Sequence, residues 1–213
     1  LSAEHCSLRA GREFCMGEDP RRPNRCVRLA QVFDHPRADI ALARLSQPAA
    51  NVMPGVVPIP LLREDLDRTW IGRTAEAAGY GQQENGAFNE REFTAQPISQ
   101  LFSDFVTING QGRRGVCFGD SGGPVMVTAS DGTTQVAGAL SHGDPSCVGE
   151  DNYTRVDLVR GWVESTMGPI APPPPPPPEP CGAVTEQGEC SEDLTQARYC
   201  EDGGLVRDDC RVS

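Results

Sequence analysis

The chain has 213 residues, a formal net charge of −11, nine cysteines and few aromatics. That length suits one large domain or two small ones, and the acidic balance argues against a nucleic-acid or anionic-membrane partner. The cysteines point to an oxidising compartment, disulfides and a secreted protein. Cys-x-x-Cys is absent and the three His are far apart, so no metal is expected. No cofactor is expected either, and no stretch approaches the apolar length of a membrane span.

Residues 1–168 read as all-β. Residues 27–32 and 39–45 alternate apolar with polar or small side chains, and Pro48 breaks the second run. Gly79-Tyr80-Gly81 marks a turn after the small-residue stretch 75–78. Residues 93–108 carry β-branched and aromatic side chains, with a reversal at Ser103-Asp104. Residues 125–128 and 135–140 flank Asp131-Gly132, a strong hairpin signal. Short strands between Gly/Pro turns fit a sandwich or barrel. The one helix is expected from Asp157 to about residue 167. Asp157 would cap it, Leu158, Trp162, Val163 and Met167 would form its apolar stripe, and Gly168 would end it.

Seven prolines, 172–178, then Glu179 and Pro180, form a polyproline spacer of ~3.1 Å per residue. Residues 169–180 are therefore a linker between a domain over 1–168 and a Cys-rich module over 181–213. The module places Cys181, Cys190, Cys200 and Cys210 nine or ten residues apart. Its large hydrophobes, chiefly Leu194, Tyr199, Leu205 and Val206, are too few for a self-sufficient core. Two disulfides would hold it, in one of three connectivities. It resembles small modules appended to secreted bacterial enzymes. An inert tail is its default role, with binding to a surface or a glycan as the alternative.

Three stretches carry chemistry. Gly119-Asp120-Ser121-Gly122-Gly123-Pro124 would by itself be a Gly-rich surface turn, its glycines free to adopt positive φ. Ser2-Ala3-Glu4-His5-Cys6 and Asp39-Ile40-Ala41-Leu42 change that reading. Together the three supply His, Asp and Ser in the chain order of one group of triad enzymes. A serine hydroxyl is a poor nucleophile unless a base takes its proton. An imidazole can take it and return it to the leaving amine, and a buried carboxylate fixes the imidazole tautomer. Asp34 and Asp120 are rival acids, but Asp34 lacks the Ile-Ala-Leu context that follows Asp39. His35, before Pro36, receives no catalytic role.

With these residues, 1–168 resembles the trypsin/chymotrypsin-like serine protease family. Gly79-Tyr80-Gly81 is similar to its Gly-Trp-Gly turn, residues 136–143 to its cleft-lining strand, and Tyr153-Thr154-Arg155-Val156 with the following helix to its C-terminus. The resemblance implies two antiparallel barrels with a cleft between them, the first incomplete here, and a secreted endopeptidase acting on peptides or proteins through an acyl-enzyme. It implies a triad of His5, Asp39 and Ser121, with the N–H groups of Gly119 and Ser121 as the oxyanion hole. It implies that Ser141 supports Asp39, that Asp120 pairs with an amino terminus freed by activation, and that Gly115, Phe118, Ser141, His142, Gly143 and Asp151 line the substrate pocket. Trypsin-like members selecting Arg or Lys carry Asp where Gly115 stands. Asp151, on another wall, could also attract a basic side chain, so basic or broad specificity is expected.

The resemblance also implies the disulfide Cys117–Cys147; Cys15 can reach Cys26, and Cys6 is then left single because its family partner lies upstream. The family's first strands precede the motif that holds His5, so these 213 residues alone are expected to be weakly active or inactive. The competing reading is a non-catalytic homologue that binds or regulates, though such homologues commonly lose a triad member and none is missing here. An esterase of unrelated fold would place Ser first and His last.

Overall fold

The computed structural model describes residues 1–16, 25–83, 85–88 and 90–168, and the backbone of 189–190, 196–201 and 204–209. The chain divides into two compact units, Leu1–Pro173 and Pro174–Ser213.

The first unit begins with a 3-10 turn, Glu4–Cys6, and an antiparallel sheet of β1 (Glu13–Met16), β2 (Arg25–Asp34) and β3 (Ala41–Leu45). Cys15 and Cys26 face each other across β1 and β2 and are joined by a disulfide. The other six strands close into a barrel. They are β4 (Thr74–Gly79), β5 (Glu92–Leu101), β6 (Phe105–Asn109), β7 (Pro124–Thr128), β8 (Thr134–Gly143) and β9 (Glu150–Arg155), in the order β4-β5-β6-β9-β8-β7. Closure leaves no open edge.

Side chains alternate inward and outward along each strand, so Ala75 and Ala77 of β4 and Ala137 and Ala139 of β8 point into the barrel and are buried. These small residues leave room for Ile98, Ile108, Val125 and Tyr153, which are at most 1% exposed, the large-and-small filling typical of narrow barrels. The β7–β8 hairpin turns at Asp131-Gly132, where Gly132 has φ +81°. One closed barrel and one open three-stranded sheet thus stand where the sequence suggests two barrels with the first incomplete.

The helix α1 spans Val156–Met167 and stops at Gly168, φ +92°. Its buried face is Val156, Val159 and Val163, so of the expected stripe only Val163 is buried. Leu158 and Met167 are exposed, and Trp162 is only partly covered, set edge-on to His35. The cap also differs: Arg155 is the N-cap residue and no side chain caps it. Asp157, inside the first turn, accepts instead from Arg155 Nη2 at 2.6 Å, Arg155 Nε at 3.1 Å and the Leu66 amide at 3.0 Å. A buried guanidinium needs a partner more than a helix end does, since capping contributes about 1 kcal/mol.

The connection between β3 and β4, unassigned in the sequence, completes the core with Leu62, Leu66 and Trp70. It is held to β8 through Leu62 N–H to Val136 O and Val136 N–H to Pro60 O, each 2.8 Å. In the second unit, β10 (Glu189–Cys190), β11 (Gln196–Glu201) and β12 (Gly204–Asp209) form an antiparallel sheet. The linker, Cys181 and Cys210 lie outside the described residues, as do the side chains of Cys190 and Cys200.

Candidate active site

Asp39 sits just before β3, where the chain leaves His35 and turns into the sheet. Its carboxylate gathers three donors. Oδ1 accepts from the His5 amide at 2.9 Å, and Oδ2 lies 2.7 Å from His5 Nδ1 and accepts from the Ser141 hydroxyl at 2.6 Å. The backbone carbonyl of Asp39 accepts from Thr154 Oγ1 at 2.9 Å. Burial alone raises this carboxyl's pKa, but the Ser141 hydroxyl and the His5 amide and imidazole bring it below the ordinary value. An ionised acceptor at Nδ1 puts the imidazole proton there and leaves Nε2 with its lone pair.

His5 reaches this place because the segment before it pairs with β3. Ser2 and Ala41 exchange both backbone hydrogen bonds, at 3.0 and 2.8 Å, and Ala3 is fully buried. The 3-10 turn Glu4–Cys6 then swings the imidazole over Asp39. Ser141 arrives by a different device. The β8–β9 register shifts between Leu140 and His142, so Ser141 is the extra residue of a bulge. Such a bulge re-aims a side chain; here it turns the hydroxyl onto Asp39. His142 projects outward and meets Phe105 edge-on at 5.1 Å.

Ser121 lies in a turn pinned on both sides. Gly122 N–H donates to Leu140 O, and Leu140 N–H donates to Gly123 O, each at 2.8 Å. Gly122 has φ +77°, and a Cβ there would fall on Ser2 Oγ and the Ala3 amide. The serine turn and the histidine turn are therefore in direct contact, and Cys6, a free thiol, lies 3.5 Å from Ser121 O. No hydrogen bond joins His5 Nε2 to the Ser121 hydroxyl; such bonds are often long before substrate binds.

The amide of Asp120 donates to Cys117 O at 3.1 Å, whereas the amides of Gly119 and Ser121 on either side donate to no protein acceptor among the described residues. Gly119 makes this possible with φ +98°. The Asp120 side chain points the other way, accepting from Gly81 N–H at 2.7 Å and Cys117 N–H at 2.9 Å. A Cβ at Gly79 or Gly81 would occupy the space of that carboxylate. Gly79-Tyr80-Gly81 is thus a socket for Asp120.

A disulfide joins Cys117 to Cys147. Beside it, Asp151 on β9 is completely buried, its Oδ2 accepting from Val116 N–H at 3.2 Å. Burial, with the negative charges of Asp144 and Asp120, raises its carboxyl to about 6 despite that bond. Gly115 and Gly143 flank this carboxylate, and Phe118 is 63% exposed nearby in sequence. Of the rival residues, Asp34 is exposed at the end of β2. His35 turns Nδ1 back to the amides of Arg37 and Ala38, at 3.2 and 2.9 Å, so it serves its own turn.

A closed β-barrel, an open sheet against it and a C-terminal helix define the trypsin-like fold. The Trypsin family model matches residues 1–163, so the chain belongs to the trypsin family. Among curated relatives, vitamin K-dependent protein C of Oryctolagus cuniculus is 31% identical over 203 residues, which cover 78% of this chain and 43% of the relative. Serine protease filzig of Drosophila melanogaster is 28% identical, over 61% of this chain and 9% of its own length. The chain thus spans less than half of either. Neuropsin, a serine protease of mouse brain, aligns with a TM-score of 0.65 and 22% identity over 78% of this chain and 83% of its own, a likeness in fold.

Proposed function

We propose that this protein is a secreted serine endopeptidase that transfers the acyl part of a peptide to Ser121 and releases it to water. The observation that carries the reading is the Asp39 carboxylate, bonded to both the amide and Nδ1 of His5, within a turn that touches the serine turn. In this role His5 Nε2 takes the Ser121 proton as the hydroxyl oxygen attacks the scissile carbonyl. The imidazolium then gives the proton to the leaving amine, and Asp39 stabilises the imidazolium. The free amides of Gly119 and Ser121 hold the oxyanion; one such donor is worth ~10²–10³ in turnover. Water repeats the sequence to free the acid.

Two disulfides support an extracytoplasmic location, and among the described residues no helix is long and apolar enough to cross a membrane. The acyl-transferring domain would be residues 1–168, joined by the linker 169–180 to the module 181–213. A fluorophosphonate probe tests the reading on the full-length protein: it should label it, and Ser121→Ala should abolish labelling. A folded protein that the probe leaves untouched would instead be a homologue that binds without catalysis.

A further inference from the structure

Resting on that reading, we infer that His142 is a positioning residue of the triad: its Nδ1–H donates to the Ser141 hydroxyl, which in turn donates to Asp39. The carboxylate is thereby tied to two imidazoles, His5 directly and His142 through one hydroxyl.

Counting protons fixes the direction of these bonds. Ser141 Oγ lies 2.6 Å from Asp39 Oδ2 and 3.3 Å from His142 Nδ1. A hydroxyl has one proton to donate, and an ionised carboxylate can only accept. The donors around Asp39 keep it ionised, so the hydroxyl proton is committed to Oδ2 and Oγ can only accept from His142. Nδ1 of His142 must therefore carry a proton, in the neutral ring as in the imidazolium. Nε2 has no protein partner among the described residues, and the side chain is exposed. That nitrogen is the one that takes a proton from solvent as the ring becomes charged. A donor on Oγ also polarises its O–H toward Asp39, which steadies the carboxylate beneath His5.

The backbone makes the contact possible. In a regular strand consecutive side chains point to opposite faces, which would hold Ser141 and His142 apart. The bulge between Leu140 and His142 breaks that alternation and lets the ring meet its neighbour's hydroxyl. Phe105 on β6 sets the plane of the ring, edge-on at 5.1 Å. Few charges face it. Asn152, its partner on β9, and Phe105 do not titrate. Further along, Asp151 Oδ1 lies against Gly143, and Asp144 accepts from the Ser146 amide. Asp39 is reached through Ser141, with His5 beyond it. Contacts of 3.3, 2.6 and 2.7 Å place the two Nδ1 atoms no more than about 9 Å apart. Two positive charges so placed on a partly exposed site oppose each other by about half a pH unit to one. Whichever imidazole is protonated second takes its proton at a lower pH because of the first.

The test is NMR of the imidazole nitrogens in the full-length protein, at low ionic strength so that salt does not screen the coupling. When the rings are neutral, His5 and His142 should both hold their proton on Nδ1. His35, whose Nδ1 accepts from the amides of Arg37 and Ala38, should hold its proton on Nε2. This readout is made on the unmodified protein and does not depend on how a variant folds. On titration, the midpoint of His5 in His142→Asn, or that of His142 in His5→Asn, should rise by about half a pH unit to one, while His35 keeps its midpoint. Fluorophosphonate labelling adds a functional arm. His142→Phe keeps a ring against Phe105 but removes the donor, and should slow labelling about two- to fivefold. His142→Asn puts an amide N–H where Nδ1 stands and should recover part of that loss. A neutral His142 protonated on Nε2, midpoints that ignore replacement of the other ring, or an Asn variant no faster than the Phe variant would each overturn the assignment. Normal labelling with His142 on the wrong tautomer refutes this inference alone; the expected tautomers and coupling without any labelling refute only the catalytic reading.

Discussion

Replacing Asp39 by Asn tests the proposed proton path with almost no change of volume. In the structure two oxygens accept from three donors, the His5 amide, His5 Nδ1 and the Ser141 hydroxyl. The amide has one acceptor oxygen and two N–H donors. If that oxygen keeps the His5 amide, the NH2 group faces Nδ1, which must then present its lone pair. The imidazole proton moves to Nε2, where it cannot accept one from Ser121. Two charge-assisted bonds are lost, at about 1.5–3 kcal/mol each. If both are expressed in the transition state, the rate should fall by ~10² to ~10⁴. The assay is the second-order rate of fluorophosphonate labelling, followed by thermal melting to establish that the variant is folded. Ser141→Ala, which removes one donor and leaves the tautomer intact, should cost about tenfold. An Asn variant that melts normally and labels within tenfold of the unmodified protein would refute the carboxylate's assigned part.

Asp157→Ala should destabilise the fold by about 3–5 kcal/mol, because it strands the Arg155 guanidinium, which is 11% exposed and bonded to Leu66 O and Phe102 O; chemical denaturation monitored by tryptophan fluorescence measures it. Asp151 should make stability decline as pH rises from about 4 to 6. There the native state holds a proton that the unfolded chain has lost, and a shift of about two pH units corresponds to at most about 3 kcal/mol. Melts across that range should show the decline, and Asp151→Asn should flatten it. Asp39 acts with the opposite sign: its pKa is lowered, so its contribution is present above the ordinary carboxylate range and is lost as the solution is acidified through its folded pKa.

The barrel was legible because its signals are local. The small-residue stretch 75–78 before Gly79, the reversal at Ser103-Asp104 and the turn at Asp131-Gly132 each report their own backbone. Of the helix face only Val163 was legible. Leu158, Trp162, Val163 and Met167 make a plausible apolar stripe, yet which stripe is buried depends on where the helix docks, and Val156 and Val159 are nearer the barrel core. The β3–β4 connection was illegible for a related reason. Its order comes from Val136 on a distant strand, and Pro58 and Pro60 hide any periodicity.

The same division runs through the site. His5, Asp39 and Ser121 can be nominated from sequence because each carries a motif of its own, but the contacts that unite them are long-range. Ser2 must pair with Ala41, Gly122 must fit against Ser2 and Ala3, and a bulge in β8 must rotate Ser141. Each contact depends on backbone approach more than on side-chain chemistry, which is why glycine recurs at 79, 81, 122 and 143, where a Cβ would collide. The polar groups can thus be held by a scaffold whose own stability comes from the apolar barrel. It follows that Asp39→Asn and Ser141→Ala should leave the fold intact, whereas a methyl group at Gly122, far smaller a change in chemistry, should disturb both the fold and the approach of His5 to Ser121.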